Sequence, residues 1–442
     1  MTKTYDVVVI GGGPAGSASA SNIAKQGYSV AVLEKAKMPR PQVGESLIPH
    51  FWKFADVMGV SEKIEAEGFI KKAGGTMYWG NEFRQFTFGD FGHTRAALHV
   101  ERDRFDEILF RHAGSCGADL YEEAYALDAD LSDKGNTVKV RLKSEGRDVD
   151  FKCKAMIDAS GFGGFLGAKY KWRQMDEGFK YTALWGYFKN SKFVSMGGKV
   201  HPESSRMDVP PTTFVAALEN DLGWGWNIIL RNETSVGLLV KVEEVLKHKG
   251  SQEQFFLDMC RKTPFFAGLL DEAEFIPGSL NMRRDYSYSS PAFAGPGWFM
   301  VGDSGAFADP IFSHGVHFSL FGGFQVGRAI GRALEGNWER ACRNYEMWIR
   351  QFYEFSRSLA LPSYDPDAKV SAAVCDLLSR VSQRELELMY VASAMTDRSG
   401  NFVKMANEMG IQAEAKGIRI LPGLEHIGGG RFEPGTLAVA AE

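Results

Sequence analysis

The apolar positions of the chain fall into short blocks closed by glycine or acid. Val7-Val8-Val9-Ile10 is the first. So short a β-branched run, stopped by glycines, reads as a strand buried on both faces. Ser17 to Gln26, with small residues on several sides, reads as a helix. Val30 to Leu33 is a second strand that ends at Glu34. Pro39 to Pro49 is a proline-bounded loop or irregular helix entry, and residues 50–68 have a helical pattern. Thr76 to Trp79 alternates like a strand, and Val100 to Ala113 fits a helix after a short strand. Strand patterns recur around 136–142 and 151–157. Two later blocks share one design: Ala155-Met156-Ile157-Asp158-Ala159-Ser160-Gly161 and Trp298-Phe299-Met300-Val301-Gly302-Asp303. Each is an apolar strand ending in a polar glycine turn, which predicts one sheet visited by distant parts of the chain. Between them, strand-like pieces at 182–188, 211–218, 224–230 and 235–241 predict an inserted antiparallel sheet. Helical patterns cover 315–334, 340–359, 370–388 and 402–412, and a loop or tail starts at Gly423.

The loop Gly11-Gly12-Gly13-Pro14-Ala15-Gly16 joins the first strand to the first helix. Gly11 permits a sharp turn, Gly13 leaves room for a pyrophosphate, and Gly16 lets helix and strand pack closely. Amides at the helix start, with the helix dipole, favour phosphate charge. Glu34 stands where a carboxylate holds a ribose hydroxyl. Strand, loop, helix and acid together predict dinucleotide binding; by themselves they fit FAD and NAD equally.

Composition narrows the class. The 442 residues, 44% hydrophobic and 24% charged, suit a soluble globular protein of two or three lobes. A net charge of −4 without a basic block gives no reason to expect nucleic acid. No apolar run is long enough for a membrane span, and the early first strand leaves no room for a signal peptide, so a cytoplasmic protein is expected. The five cysteines (Cys116, Cys153, Cys260, Cys342, Cys375) lack metal or redox spacing and read as buried thiols. No metal is expected: His93, His99 and His317 show no ligand spacing and read as structural or exposed. With 32 Phe and 9 Trp, the chain can line a pocket for a flat aromatic ligand as well as a core.

The Gly302-Asp303 turn selects FAD over NAD. An aspartate there can accept from the ribityl hydroxyls of a flavin, and the helix start after Pro310 can bring amides to the isoalloxazine. Asp303 as a plain helix cap is the bland alternative. The predicted fold is α/β. A three-layer, Rossmann-type FAD-binding domain comes from 1–175 and 285–340. An antiparallel β-sheet on the substrate side is inserted at 176–284, and a helical C-terminal region spans 341–442.

This combination resembles the flavin monooxygenase superfamily, and four stretches are similar to flavin-dependent halogenases of phenols and pyrroles. They are Val43-Gly44-Glu45-Ser46-Leu47-Ile48-Pro49; Phe69-x-x-Lys72-x-Gly74; Gly223-Trp224-Gly225-Trp226-Asn227-Ile228-Ile229; and Phe307-x-x-Pro310-x-x-Ser313-x-Gly315. The third departs from the family at Ile229, where proline is usual, and the fourth carries His314 where a small residue is usual. The resemblance implies FAD contacts from Gly11, Gly13, Pro14, Ala15, Gly16, Glu34, Ser46, Arg102, Asp303, Pro310, Gly315 and Val316. It implies a chloride or bromide site at Ser313, His314 and Gly315, and catalytic roles for Lys72, Trp224 and Trp226. The implied reaction uses reduced FAD, supplied by a separate reductase, with oxygen and halide. Hypohalous acid passes to Lys72 and then to an electron-rich aromatic, free or tethered to a carrier protein. Taken singly, Lys72 reads as a surface lysine beside Lys71, the tryptophans as core, and Ser313 and His314 as a cap or turn. A flavin-dependent hydroxylase or double-bond reductase shares the FAD motifs, and a non-catalytic flavoprotein is the other rival.

Overall fold

The computed structural model describes residues 2–79, 82–131, 135–219, 222–284, 287–364 and 419–421. Its first sheet has eight strands. Thr2–Ile10 lies at the centre, parallel to Val30–Leu33 on one side and to Arg147–Asp158 on the other. Arg147–Asp158 in turn pairs in parallel with Trp298–Met300, so distant blocks of the chain do share one sheet. The registers align Ile10 with Leu33 and with Asp158, and Asp158 with Met300. The glycine loop, Glu34, the Ala159 turn and the Gly302 turn therefore leave the sheet at one edge. Val7, Val8 and Val9 are fully buried, which is why these strands read as unbroken apolar runs.

The first helix is Pro14–Ala24, three residues ahead of the expected Ser17, with Gly13 as N-cap and proline at its first position. It packs against both Gly315–Leu334 and Arg102–Ser115, and nearly every position is buried. That explains small residues all round. The helical pattern at 50–68 is two helices, Phe51–Met58 and Ser61–Ala66, divided at Gly59 with φ +74°. Trp338–Ala360 matches the pattern at 340–359; the patterns at 370–388 and 402–412, the tail from Gly423 and Cys375 lie outside the described residues.

The second sheet has nine strands. Tyr181–Lys189, Thr234–Lys241, Gly223–Ile229 and Thr212–Ala217 pair antiparallel in that order. The sheet is not confined to the expected 176–284. Gly74–Trp79 and Glu82–Thr87 belong to it, and Gly74–Trp79 pairs with Thr212–Ala217 in parallel. Alternation along a strand reports which face is buried; it carries no information on a partner far away in sequence. Ile70–Lys72 instead pairs with Ala97–His99, and Ser46 bridges to His99. Cys153 and Cys260 are buried as expected, whereas Cys116 and Cys342 are only partly so. No described helix is long and apolar enough to cross a membrane.

Gly16 tests this packing. A Cβ there would lie 1.8 Å from the Gly11 carbonyl oxygen and 3.2 Å from Val9 Cγ1. Alanine in a helix gains about 1 kcal/mol over glycine, and overpacking against fixed backbone costs about 1–3 kcal/mol. Gly16→Ala is expected to be net destabilised in urea unfolding. A variant as stable as the parent would remove the close contact from the account.

Candidate active site

Two helices start at the sheet's carboxyl edge with open space before them. A Cβ on Gly13 would meet only Arg40 Nη2 at 3.2 Å, and one on Gly315 would meet nothing within 4 Å. Gly13 is thus not required by protein packing, unlike Gly11 (φ +105°) and Gly16, whose added Cβ atoms would strike backbone. Ala15 and Gly16 carry first-turn amides of the first helix, and Gly315 and Val316 those of the second. Glu34 accepts from the amides of Gly12 at 2.8 Å and Ala36 at 2.9 Å, which fixes its carboxylate beside the glycine loop.

A cavity of about 190 Å³ extends from this edge to the second sheet. Pro14, Ser46, Arg102, Asp303, Pro310 and Val316 line it, as do Ser313, His314 and Gly315, with Trp224 and Trp226 on the far wall. Burial pushes the Asp303 carboxyl up to about 6, against the pull of the Arg102 and Arg283 guanidiniums. Arg102 spends its hydrogen bonds on the protein. It donates to Asp106 at 2.8 and 3.1 Å and to the Val43 carbonyl at 2.7 Å, so it ties the Val43–Ser46 loop to its own helix. Two phosphate-compatible helix starts, room above Gly13 and Gly315, and a buried carboxylate facing the cavity fit the phosphate and ribityl parts of FAD.

The turn before Gly315 is strained. Ser313 has φ +55°, a region that costs a non-glycine residue about 1–2 kcal/mol. The turn is held by Ser313 N donating to the Pro310 carbonyl at 3.0 Å and Ile311 N to Asp309 Oδ1 at 2.9 Å. The strain directs Ser313 Oγ to Ser46 Oγ at 3.0 Å. His314 is buried, and burial holds its imidazole down at about 4. Trp224 and Trp226, two apart on one strand, share a face; their ring centroids are 5.8 Å apart. Trp224 Nε1 donates to Tyr364 OH at 2.5 Å and Trp226 Nε1 to Ser235 Oγ at 3.3 Å.

Lys72 is not a surface lysine. Alternation along Ile70–Lys72 exposes Lys71 and buries Lys72, which is 4% exposed. Its Nζ donates to Ser46 Oγ at 2.8 Å and to the Leu47 carbonyl at 3.1 Å, and lies 5.2 Å from the Phe88 ring centroid. Burial alone lowers it from 10.5 to about 7. It faces a second, smaller cavity of about 40 Å³, lined by Ile48, Met77, Phe86 and Phe88. Thr213, Val215, Ile311 and Ser313 line both cavities and form the wall between them.

His99 was expected to be structural or exposed; it is fully buried and joined to this wall through Thr213, Nε2 to Oγ1 2.9 Å. His93 and His317, both partly exposed, flank His50 at ring-centroid distances of 4.7 and 5.6 Å. Among the described residues no three His, Cys, Asp or Glu side chains are placed to hold a metal ion. The sequence reading missed Thr213, an unremarkable strand residue, and Glu45, whose motif was noted for its neighbours. Glu45 Oε1 accepts from Tyr187 OH at 2.8 Å, and burial raises its carboxyl.

A family model described as tryptophan halogenase matches residues 6–96 and 89–370. The flavin-dependent halogenase armH3 of Armillaria mellea is 32% identical over 371 residues, which cover 79% of this chain and 72% of that protein. A tryptophan 2-halogenase of Chondromyces crocatus is 32% identical over 347 residues, 77% of this chain and 64% of that one. The chain thus spans about two thirds of the length of these curated relatives. Among solved structures, the myxobacterial chondrochloren halogenase CndH superposes with a TM-score of 0.74 at 28% identity, over 89% of this chain and 97% of that one.

Gly13→Val separates ligand space from packing. It is expected to abolish retention of FAD while costing only about 1 kcal/mol of stability, the scale of a lost N-cap, since only a flexible arginine tip stands nearby. The check is the flavin absorbance of purified protein beside its urea curve. FAD bound as tightly as in the parent would displace the pyrophosphate from this loop.

Proposed function

The chain belongs to the tryptophan halogenase family of flavin-dependent enzymes, and from that premise we propose that it places chloride or bromide on an uncharged, electron-rich aromatic such as a phenol or pyrrole, free or carrier-tethered. A separate reductase supplies reduced flavin in the cytoplasm. When bound, the reduced flavin (FADH2) would supply two electrons and two protons to oxygen, so that halide, oxygen and one further proton become hypohalous acid and water.

This chain's residues do the rest. The glycine loop, Glu34 and Asp303 hold the cofactor. Amides at Gly315 and Val316, beside Ser313 and His314, hold the halide at a helix start. Trp224 and Trp226 wall off the flavin-side cavity from the aromatic substrate. Hypohalous acid passes Ser313 and Thr213 to Lys72. The amine takes the halogen, and hydroxide departs with a proton from nitrogen as water. Transfer to the ring returns the amine.

One observation carries this reading: a lysine brought to about 7 by burial in a small apolar cavity, one shared wall from the flavin-side cavity. A surface lysine at its ordinary value could not serve as a neutral nucleophile near neutral pH. Among the described residues, Lys72 is the one charged or ionisable side chain lining its cavity. That supports an uncharged ring over an amino acid, whose two charges would go unmatched.

Lys72→Ala and Lys72→Arg are expected to abolish halogenated product by mass spectrometry, while FAD binding and oxygen uptake persist and peroxide is released instead. Lys71→Ala, on the exposed face, is expected to be nearly silent. Undiminished halogenation in Lys72→Ala would overturn the assignment. Product formed without halide would select the hydroxylase or reductase.

The amine also sets a pH dependence. Its folded value lies below its unfolded one, so from about 7 to 10.5 the unfolded chain binds more protons. This group's contribution to stability therefore rises with pH across that window. The burial penalty on the charged form applies in full below about 7. Halogenation from added hypohalous acid is expected to fall about tenfold per pH unit below that value. A rate that instead falls as pH rises through 7 would assign the ammonium form, as a hydrogen-bond donor.

A further inference from the structure

Lys72 is one end of a hydrogen-bond chain whose direction can be read link by link. At the other end, His99 Nδ1 faces the Ile229 carbonyl oxygen at 3.1 Å. A carbonyl only accepts, so Nδ1 carries the ring proton. Burial, and then the nearby Lys72, hold the imidazole neutral, well below its ordinary value. Nε2 is therefore an acceptor, and it takes the Thr213 hydroxyl proton across 2.9 Å. With its proton committed, Thr213 Oγ1 accepts from Ser46 Oγ at 2.8 Å. The Ser46 hydroxyl thus points away from Lys72, and its oxygen receives Lys72 Nζ at 2.8 Å and Ser313 Oγ at 3.0 Å. The second N–H of a neutral Lys72 goes to the Leu47 carbonyl at 3.1 Å. Both N–H bonds are spent, and the lone pair is left to the apolar cavity of Ile48, Phe86 and Phe88.

We propose that His99, acting through Thr213 and Ser46, is a positioning residue that keeps the Lys72 lone pair free to accept halogen. The proposal rests on Lys72 as the halogen acceptor. Without an acceptor at His99, Thr213 can turn its proton to Ser46, and Ser46 can turn its own to Nζ. A hydroxyl donating to that lone pair closes it. With the chain in place, the lone pair forms the nitrogen–halogen bond as the oxygen–halogen bond breaks. The bonding pair leaves with hydroxide, which removes a proton from nitrogen as water. The chain is anchored by backbone: Ser46 bridges to His99, and Lys72 pairs with Ala97 in the strand that ends at His99.

The test reads the lone pair directly. The full chain is treated with isotopically labelled formaldehyde and cyanoborohydride, a small electrophile system, and methylation of Lys72 is measured by peptide mass spectrometry against exposed Lys71. Thr213→Val and His99→Leu are expected to slow Lys72 labelling at mildly alkaline pH about tenfold, the scale of one hydrogen bond, with Lys71 unchanged. Thr213→Ser restores the hydroxyl. His99→Gln restores an acceptor toward Thr213 and a donor toward Ile229, so both are expected to recover most of the labelling. Halogenation is expected to follow the same order with FAD still bound. Should His99→Leu not fold, the near-isosteric Thr213→Val carries the comparison. Equal labelling in Thr213→Val and parent overturns the proposal, and so does a His99→Gln as slow as His99→Leu. Halogenation by Lys72→Ala would overturn the underlying function instead and leave the labelling result standing.

Discussion

The in-register parallel pairing of Thr2–Ile10 with Val30–Leu33 and Arg147–Asp158, and of the latter with Trp298–Met300, is the constraint on which everything else rests. Because these strands end level, the loops that follow them meet at one edge, as ligand loops do in open α/β sheets. Two helix starts then face one cavity from opposite ends of the chain. A one-residue slip would invert every side chain of a strand, and with both faces buried no such slip is accommodated. Valines that read only as apolar filler are what fix the spacing of the site.

Desolvation, rather than ion pairing, sets the electrostatics of the cavities. Lys72, Asp303, His314, Glu45 and His99 all shift first because of burial. Each moves toward its neutral form. The proposed halogen transfer would gain from this, since a neutral amine is a nucleophile and an ammonium is not. Arg102 shows the contrast. Asp106 beside it satisfies its charge, so it acts as a clamp on the Val43–Ser46 loop. That loop then presents Ser46 to Lys72, linking the flavin-side cavity mechanically to the smaller one.

The wall between the cavities is made of residues from two distant stretches, Thr213 with Val215 and Ile311 with Ser313, and Ser46 from a third touches it on the side of the larger cavity. Strain at Ser313 and the bridge from Ser46 to His99 bring their hydroxyls together. A short polar seam in an apolar wall fits the proposed passage of a small polar oxidant. Under the proposed function the two buried tryptophans would extend the same separation.

The nucleotide loop, the strand and helix blocks and the Asp303 turn were legible because their physics is local. A turn that needs glycine, a helix that needs small residues on all sides and a strand that needs apolar ones leave their mark within a few positions. The four halogenase-like stretches carried Lys72 and the tryptophan pair by resemblance. Burial of Lys72 beside an exposed Lys71, the parallel pairing of Gly74–Trp79 with Thr212–Ala217, and the place of His99 were not legible. Each depends on which strands meet across more than a hundred residues or on which face of a three-residue strand turns inward. Nothing in the local pattern encodes that choice. By itself the sequence determined the glycine loop, the Asp303 turn and the residue types that line the cavity. The tertiary structure alone decided that Lys72 loses water, which brings its amine down to about 7, and that Ser46, Thr213 and His99 point its hydrogen bonds one way.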